Sequence, residues 1–340
     1  KGMGAKKSKR NVPTGDVLVS KIPLRLTAEQ RLLVDHLRQE SARLWNDILD
    51  HHGWLWQTWK VWTNEAELKK WFNSQDYALH SQTIQAIVEL HQETCQRTYE
   101  QRVNGNKDWK YPWRYKKYFS VRYKKAAIHN KGDVLKFSNG LKEKPLVVKC
   151  PKHIDPSVVK HAEIVWHLNQ YWLHLTIEKP KRQQVQGTGV AGGDPGEIHA
   201  LTLSDGKQHV ILTGKELRSL HRLRNKKLAW FQNRISRTQK GSSHREALIE
   251  RKRNFLAWIN RRIEYVEHAI SKQAIHWCMD HGIQTVYIGN PDGVQRNTKK
   301  KRSRVINQKL SQWSFGELFR KIRYKGRFYG IQVEKICPLY

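Results

Sequence analysis

The chain has 340 residues, with 63 Lys and Arg against 30 Asp and Glu and a formal net charge of +33. That length holds two domains and a small third one, and so large a positive charge opposes a compact fold unless a polyanion neutralises it, which makes nucleic acid the simplest partner. No membrane partner is expected, because no apolar run is long enough to span a bilayer and no signal peptide opens the sequence.

Residues 1–11, KGMGAKKSKRN, predict a disordered basic tail. Val17–Leu24 predicts a strand, and Thr27 with Gln30 predicts a capping box that opens a helix running to about His51. Residues 52–79 are rich in Trp and less regular, with a short helix over Glu65–Phe72. A longer helix is predicted over about Ser81–Arg102, closed by Asn104 and Gly105. The four cysteines, Cys95, Cys150, Cys278 and Cys337, form no C-x-x-C pair. No zinc ribbon is therefore complete in these residues, and scattered single cysteines fit a reducing compartment.

Asp108–Ala127, DWKYPWRYKKYFSVRYKKAA, interleaves rings with cations. Cations hold a phosphate chain while flat rings receive splayed bases. Trp109, Lys110, Tyr111, Trp113, Arg114, Tyr115, Lys116, Lys117, Arg122 and Lys124 are the candidate nucleic-acid contacts, and Phe119 and Tyr123 are further rings of the stretch. The bland alternative is a half-buried strand pair with solvated charges. Strands are predicted at Val134–Phe137, Pro145–Lys149, Glu163–Leu168 and Tyr171–Ile177, separated by turn residues. With the first strand they suggest a small antiparallel barrel of oligonucleotide-binding style over residues 12–26 and 106–180, with the helices of 27–105 inserted. Lys179–Thr188 reads as a polar linker.

Val190–Asp205, VAGGDPGEIHALTLSD, predicts a strand that delivers Asp194 to a Pro-Gly turn, then a second strand over Ile198–Leu203. A carboxylate at the end of a buried strand is costly unless paired or metal-bound, so Asp194 is a candidate metal ligand. A third strand, Val210–Leu212, precedes two basic helices over about Lys215–Gln239 and His244–His281, the second capped by Ser243. Their one-sided charge, with Arg222 and Arg224 among it, suggests a nucleic-acid channel. Gln284–Gly289 predicts a buried strand that returns beside the Asp194 strand. A basic loop carrying Arg296, Lys299 and Lys300, a helix over Trp313–Tyr329 and a strand over Ile331–Ile336 complete the chain.

Four segments together resemble a family: GGDPGEIHALTLSDG, the helix pair with His268, TVYIGNPDGVQRNTKKKR and NQKLSQWSFGELFRKIRYKGRFYGIQV. They look like the TnpB proteins, transposon-encoded RNA-guided DNA nucleases related to type V CRISPR effectors, and most like the branch of IS607-type transposons. The resemblance implies an α+β multidomain chain: a wedge barrel of oligonucleotide-binding style with an inserted helical recognition lobe, then an RNase H-like (RuvC) α/β nuclease domain over 181–340. It implies a guide RNA from the transposon end, a double-stranded DNA target, and a bacterial cytoplasmic, nucleoid-associated location. Monomer and homodimer stay equally open. It also implies cleavage at two magnesium ions roughly 3.5–4 Å apart. Zinc is implied only for a ribbon that the family carries beyond the position of Tyr340.

This sequence departs from the family at its second acid. The positions that carry Val-Glu-Asp in relatives read Ile288, Gly289 and Asn290 here. Glu317, on the following helix, is the best substitute, with Asp194 as its metal-binding partner. Asp292 is a further catalytic candidate, and Glu334 and Glu197 are lesser ones. The departure leaves two function classes, a guided nuclease with a relocated glutamate and a guided DNA-binding protein with a relict site.

Overall fold

The structure, a computed structural model, describes residues 17–140, 143–178, 184–291 and 315–336. It divides into two compact units, residues 1–180 and 181–340.

In the first unit, β1 (Val17–Pro23) leads into α1 (Ala28–Trp59). The capping box forms: Gln30 N–H donates to Thr27 Oγ1 at 3.2 Å and Thr27 N–H to Gln30 Oε1 at 3.1 Å. The helix runs eight residues past the expected end at His51, because the His51 and His52 rings still have aromatic partners in Trp71, Phe72 and Trp62. It stops at Lys60, whose φ of 52° is left-handed. Two more helices follow, α2 (Glu65–Asn73) and α3 (Ser81–Val103). Val34, Leu37, Leu44 and Ile48 of α1 and Ile84, Ile87 and Val88 of α3 join one buried cluster with the strands.

Those strands are β2 (Val121–Lys124), β3 (Ile128–Lys131), β4 (Val134–Phe137), β5 (Leu146–Lys149), β6 (Val159–His167) and β7 (Gln170–Glu178). All pairings are antiparallel, but hydrogen bonds divide the strands into two sheets, β1-β7-β6-β2 and β3-β4-β5, rather than one continuous barrel. A 3₁₀ turn at Lys125–Ala127 moves the chain from one sheet to the other. Because β1 pairs with β7 from Val17–Glu178 to Pro23–Trp172, the helices enter and leave through a sheet already tied across the chain. The buried Tyr123 hydroxyl donates to Asn139 Oδ1 at 2.9 Å, and Asn139 Nδ2 donates to the Lys144 carbonyl at 2.7 Å, so both buried polar side chains are satisfied.

The second unit is a five-stranded sheet in the order β10-β9-β8-β11-β12. β8 (Gly189–Asp194), β9 (His199–Ser204) and β10 (His209–Thr213) form an antiparallel meander. β11 (Ile283–Gly289) and β12 (Gln332–Ile336) add on the other side of β8, both parallel to it. The β10–β11 crossover consists of α4 (Lys215–Ser236) and α5 (Ser243–Asp280), and α6 (Phe315–Phe328) lies between β11 and β12. The cap of α5 is Ser242, one residue earlier than predicted, with its hydroxyl accepting from Arg245 N–H at 3.3 Å. Ile259, Ile263, Ile270 and Ala274 of α5 and Phe315, Leu318, Phe319 and Ile322 of α6 pack with Ala191, Leu203, Val286 and Ile288 of the sheet. Gly282 has φ 62°, and its carbonyl accepts from Gly189 N–H at 3.1 Å, which sets the register where β11 enters the sheet.

Candidate nucleic-acid interface and strand-end carboxylate

The aromatic-basic stretch forms no strand before Val121; it is an extended strap laid along α1. Phe119 N–H donates to the Arg38 carbonyl at 3.0 Å. Asn46 clasps the Lys116 backbone on both sides, accepting its N–H at 2.8 Å and donating to its carbonyl at 3.0 Å. The Tyr115 hydroxyl donates to Asp50, and Tyr111 sits 5.4 Å from the Trp62 ring. Arg102, on α3, donates to the carbonyls of Lys107 and Trp109 at 3.0 and 2.8 Å. With its backbone held this way, the strap turns rings outward: Trp109, Trp113, Tyr115 and Tyr118 are exposed, as are Lys110, Arg114 and Lys117. Tyr111 and Lys116 are half-buried.

Two rings of the stretch turn inward. Tyr123 is fully buried, and Phe119 stacks on Trp45 with centroids 4.8 Å apart. Arg122 and Lys124 are also turned inward, against Glu163 at 3.2 Å and Glu89 at 2.6 Å, and line a cavity of about 430 Å³ between α3 and the sheet. Lys69 and Lys124 hold Glu89 below its ordinary carboxylate range, against the upward pull of its own burial, which is the largest influence. Sequence reasoning missed the exposed Trp54, Trp56, Trp59 and Trp71 as ring donors. Their signal was the Trp density of residues 52–79: Trp54, Trp56 and Trp59 lie off the buried stripe of α1, and Trp71 off that of α2.

Beneath these rings lies a group of buried titratable side chains. His52 and His91 meet at 4.8 Å between centroids, His52 touches Trp62 at 4.9 Å, and His91 touches Trp45 at 5.4 Å. Burial lowers His52 to about 4, helped by His51, and His91 to about 3, helped by His52, and pushes the Cys95 thiol up to about 12. The His rings are therefore neutral at pH 7 and act as packing.

In the second unit, Asp194 ends the central strand, as predicted, but it is exposed. The burial cost that argued for a bound metal is therefore not incurred. Side chains alternate along a strand, so Asp194 shares the face of Val190 and Gly192, with Tyr287 level with Gly192 on β11 and Glu334 level with Tyr287 on β12. The other face carries Ile288 and Lys335, and Lys335 lies 5.2 and 5.0 Å over the Phe315 and Phe319 rings of α6. Glu317, in the first turn of α6, is thus at the Asp194 end of the sheet but on a helix packed against the opposite face. Its carboxylate is held by Arg320 at 2.5 Å and Lys321 at 3.6 Å, and the Arg320 hydrogen bond lowers its pKa. Lys321 in turn makes a buried pair with Glu267 at 2.8 Å. Gly289 follows the Gly193–Ile288 pair, and a Cβ there would meet only Gly193 O at 3.7 Å and Pro195 Cδ at 3.8 Å. Glu197 pairs with Arg218 at 3.2 Å.

Among the described residues, no three His, Cys, Asp or Glu side chains gather where a metal ion could be held. Asp194 is a single carboxylate in place, which is a partial donor set for two magnesium ions. Asp292, Arg296, Lys299 and Lys300 lie outside the described residues. On α4, Arg222 is exposed and Arg224 is half-buried. No described helix is long and apolar enough to cross a membrane.

No family model and no curated protein matches the chain. Among solved structures, the cryo-EM structure of a Cas12f1–sgRNA–target DNA complex is similar over 92% of this chain and 74% of its own, with TM-score 0.62 at 13% identity. A cryo-EM structure of a CRISPR-Cas12f ternary complex is matched over 92% of this chain and 72% of its own, with TM-score 0.36 at 12% identity. The first of these carries the comparison, and at such identity the likeness is one of fold. The chain shares the mixed helix-and-sheet fold of the Cas12f1 structure.

Proposed function

We propose that the chain is an RNA-guided DNA endonuclease of TnpB type, with an RNase H-like (RuvC) second unit and a guide RNA and double-stranded DNA target as partners. The observation that carries this is the sheet order β10-β9-β8-β11-β12 with Asp194 at the end of its central strand. A meander of three strands extended by two parallel ones is the RNase H-like arrangement, and its first strand presents an acid. The fold likeness to a chain solved with sgRNA and target DNA supports the same reading, as do the +33 charge and the exposed rings of the strap.

The chain's own residues divide the work. Lys110, Arg114 and Lys117 hold phosphates, while Trp109, Trp113 and Tyr115 cover bases or sugar edges. Base pairing to the guide reads the sequence, so the protein mainly needs a charged surface. Magnesium is the cofactor we assign, with Asp194 as one ligand and Glu317 as the second candidate. Glu317 would reach a metal only after leaving Arg320 and Lys321. One observation favours a second reading, a guided DNA-binding protein without cleavage: Gly289 and Asn290 place no acid beside Asp194.

The test is cleavage of matched DNA by the protein with its guide RNA and magnesium, comparing wild type with Asp194→Ala, Glu317→Ala and Glu334→Ala. Loss in Asp194→Ala and in one glutamate variant, with binding kept, supports the nuclease and names its second ligand. Tight guided binding without wild-type cleavage sinks the enzyme reading and leaves the targeting protein.

A further inference from the structure

The α4–α5 hairpin carries rings that its own packing does not need. Phe231 is buried and lies 6.1 Å from Phe255 across the two helices, and this pair closes the hairpin. Outside it stand Trp230, 4.9 Å from Phe231 and 45% exposed, and Trp258, 5.9 Å from Phe255 and 49% exposed. The inner phenyl rings thus brace two outer indoles, one on each helix.

The surroundings of Trp230 are cationic. From Leu217 to Arg245 the chain has nine Lys and Arg and no acid. Lys226 and Lys227 precede Trp230 by one helical turn and Arg234 follows it by one, and all three are exposed, as is Arg237 at the end of the helix. Lys227 Nζ lies 5.7 Å and Arg234 Cζ 5.3 Å from the Trp230 ring centroid. A cation over an exposed indole contributes less than a base stacked on it. A base can therefore displace the cation, which is then free to meet the adjoining phosphate.

We propose that this hairpin is a docking surface for an unpaired nucleic-acid strand, with Trp230 and Trp258 stacking on bases and the flanking cations holding phosphates. It rests on the nucleic-acid-binding reading above and specifies the form of the ligand. A duplex keeps its base faces inside the stack, so the indoles have nothing to receive from it. The contact is made to the π-face of the base and is therefore indifferent to the sugar.

The test uses the full chain and oligothymidine carrying iododeoxyuridine, cross-linked by ultraviolet light and mapped by mass spectrometry. Cross-links are expected on peptides holding Trp230 or Trp258. The Trp230→Ala/Trp258→Ala double variant should lose them and bind oligothymidine and oligouridine about ten-fold more weakly, with duplex binding unchanged. The Trp230→Tyr/Trp258→Tyr variant, which keeps the rings, should bind like wild type. Cross-links confined to the Trp109–Tyr115 strap overturn the proposal, as does an equal loss of duplex binding. A wild-type chain that binds no nucleic acid would sink the wider function as well. Guided cleavage without hairpin cross-links would sink this proposal alone.

Discussion

Acidification should loosen the first unit well before its carboxylates titrate. His52 and His91 are buried at 6% and 1% exposure and hold pKa values of about 4 and about 3, against 6.5 in an unfolded chain. As pH falls below about 6.5, the unfolded rings take up protons and the native rings do not, so stability present at neutral pH is progressively lost. Each pH unit in that window costs about 1.4 kcal/mol per ring. From pH 7 to pH 5 the two rings together should remove about 4 kcal/mol, a large fraction of a typical domain's stability. Urea unfolding followed by Trp fluorescence at pH 7, 6 and 5 measures it, because His52 touches Trp62 and His91 touches Trp45. His91→Phe keeps a ring in place and should remove about half of the pH dependence. A change below about 1 kcal/mol between pH 7 and 5, or an unaltered slope in His91→Phe, refutes the assignment of both rings as buried and neutral.

The Glu267–Lys321 pair is 5% and 4% exposed, so Lys321→Met should cost about 3–5 kcal/mol by stranding a buried carboxylate, while Glu267→Gln/Lys321→Met should recover most of it. Thermal unfolding of the three proteins reads this directly, and a double variant as unstable as the single one contradicts it. Replacing Lys110, Arg114 and Lys117 by Ala should flatten the salt dependence of single-strand binding by about 0.7 per cation, seen in a log–log plot of affinity against salt. Gly289→Glu has room for its Cβ beside Pro195 and should add magnesium affinity measurable by calorimetry. Equal affinity in variant and wild type would show that the Asp194 strand end does not host the ion.

Much of the fold is legible locally. The Asp194 strand, its Pro-Gly turn and the return strand show as an alternating pattern broken by turn residues, and the capping box of α1 needs only four consecutive residues. What escapes depends on partners distant in sequence. Arg122 and Lys124 look like free cations until Glu163 and Glu89 are brought against them. The exposure of Asp194 depends on which sheet face the helices cover, and α5 and α6 cover the other one. The four-residue strands β2 and β3 are too short and basic to stand out, so the switch between sheets at Lys125–Ala127 is not visible beforehand. The rings of the strap show plainly, but whether each is interface or core is decided by α1: Phe119 stacks on Trp45, while Trp113 is left outside.

The proposed function requires that a bound RNA choose the DNA. The most direct measurement takes the protein with its guide RNA and two DNA duplexes that differ only in the segment facing the guide, then repeats it with the guide sequence exchanged. Guided recognition predicts preference for the matched duplex and reversal of that preference with the guide. Equal binding of both duplexes, or a preference that ignores the exchange, would contradict it.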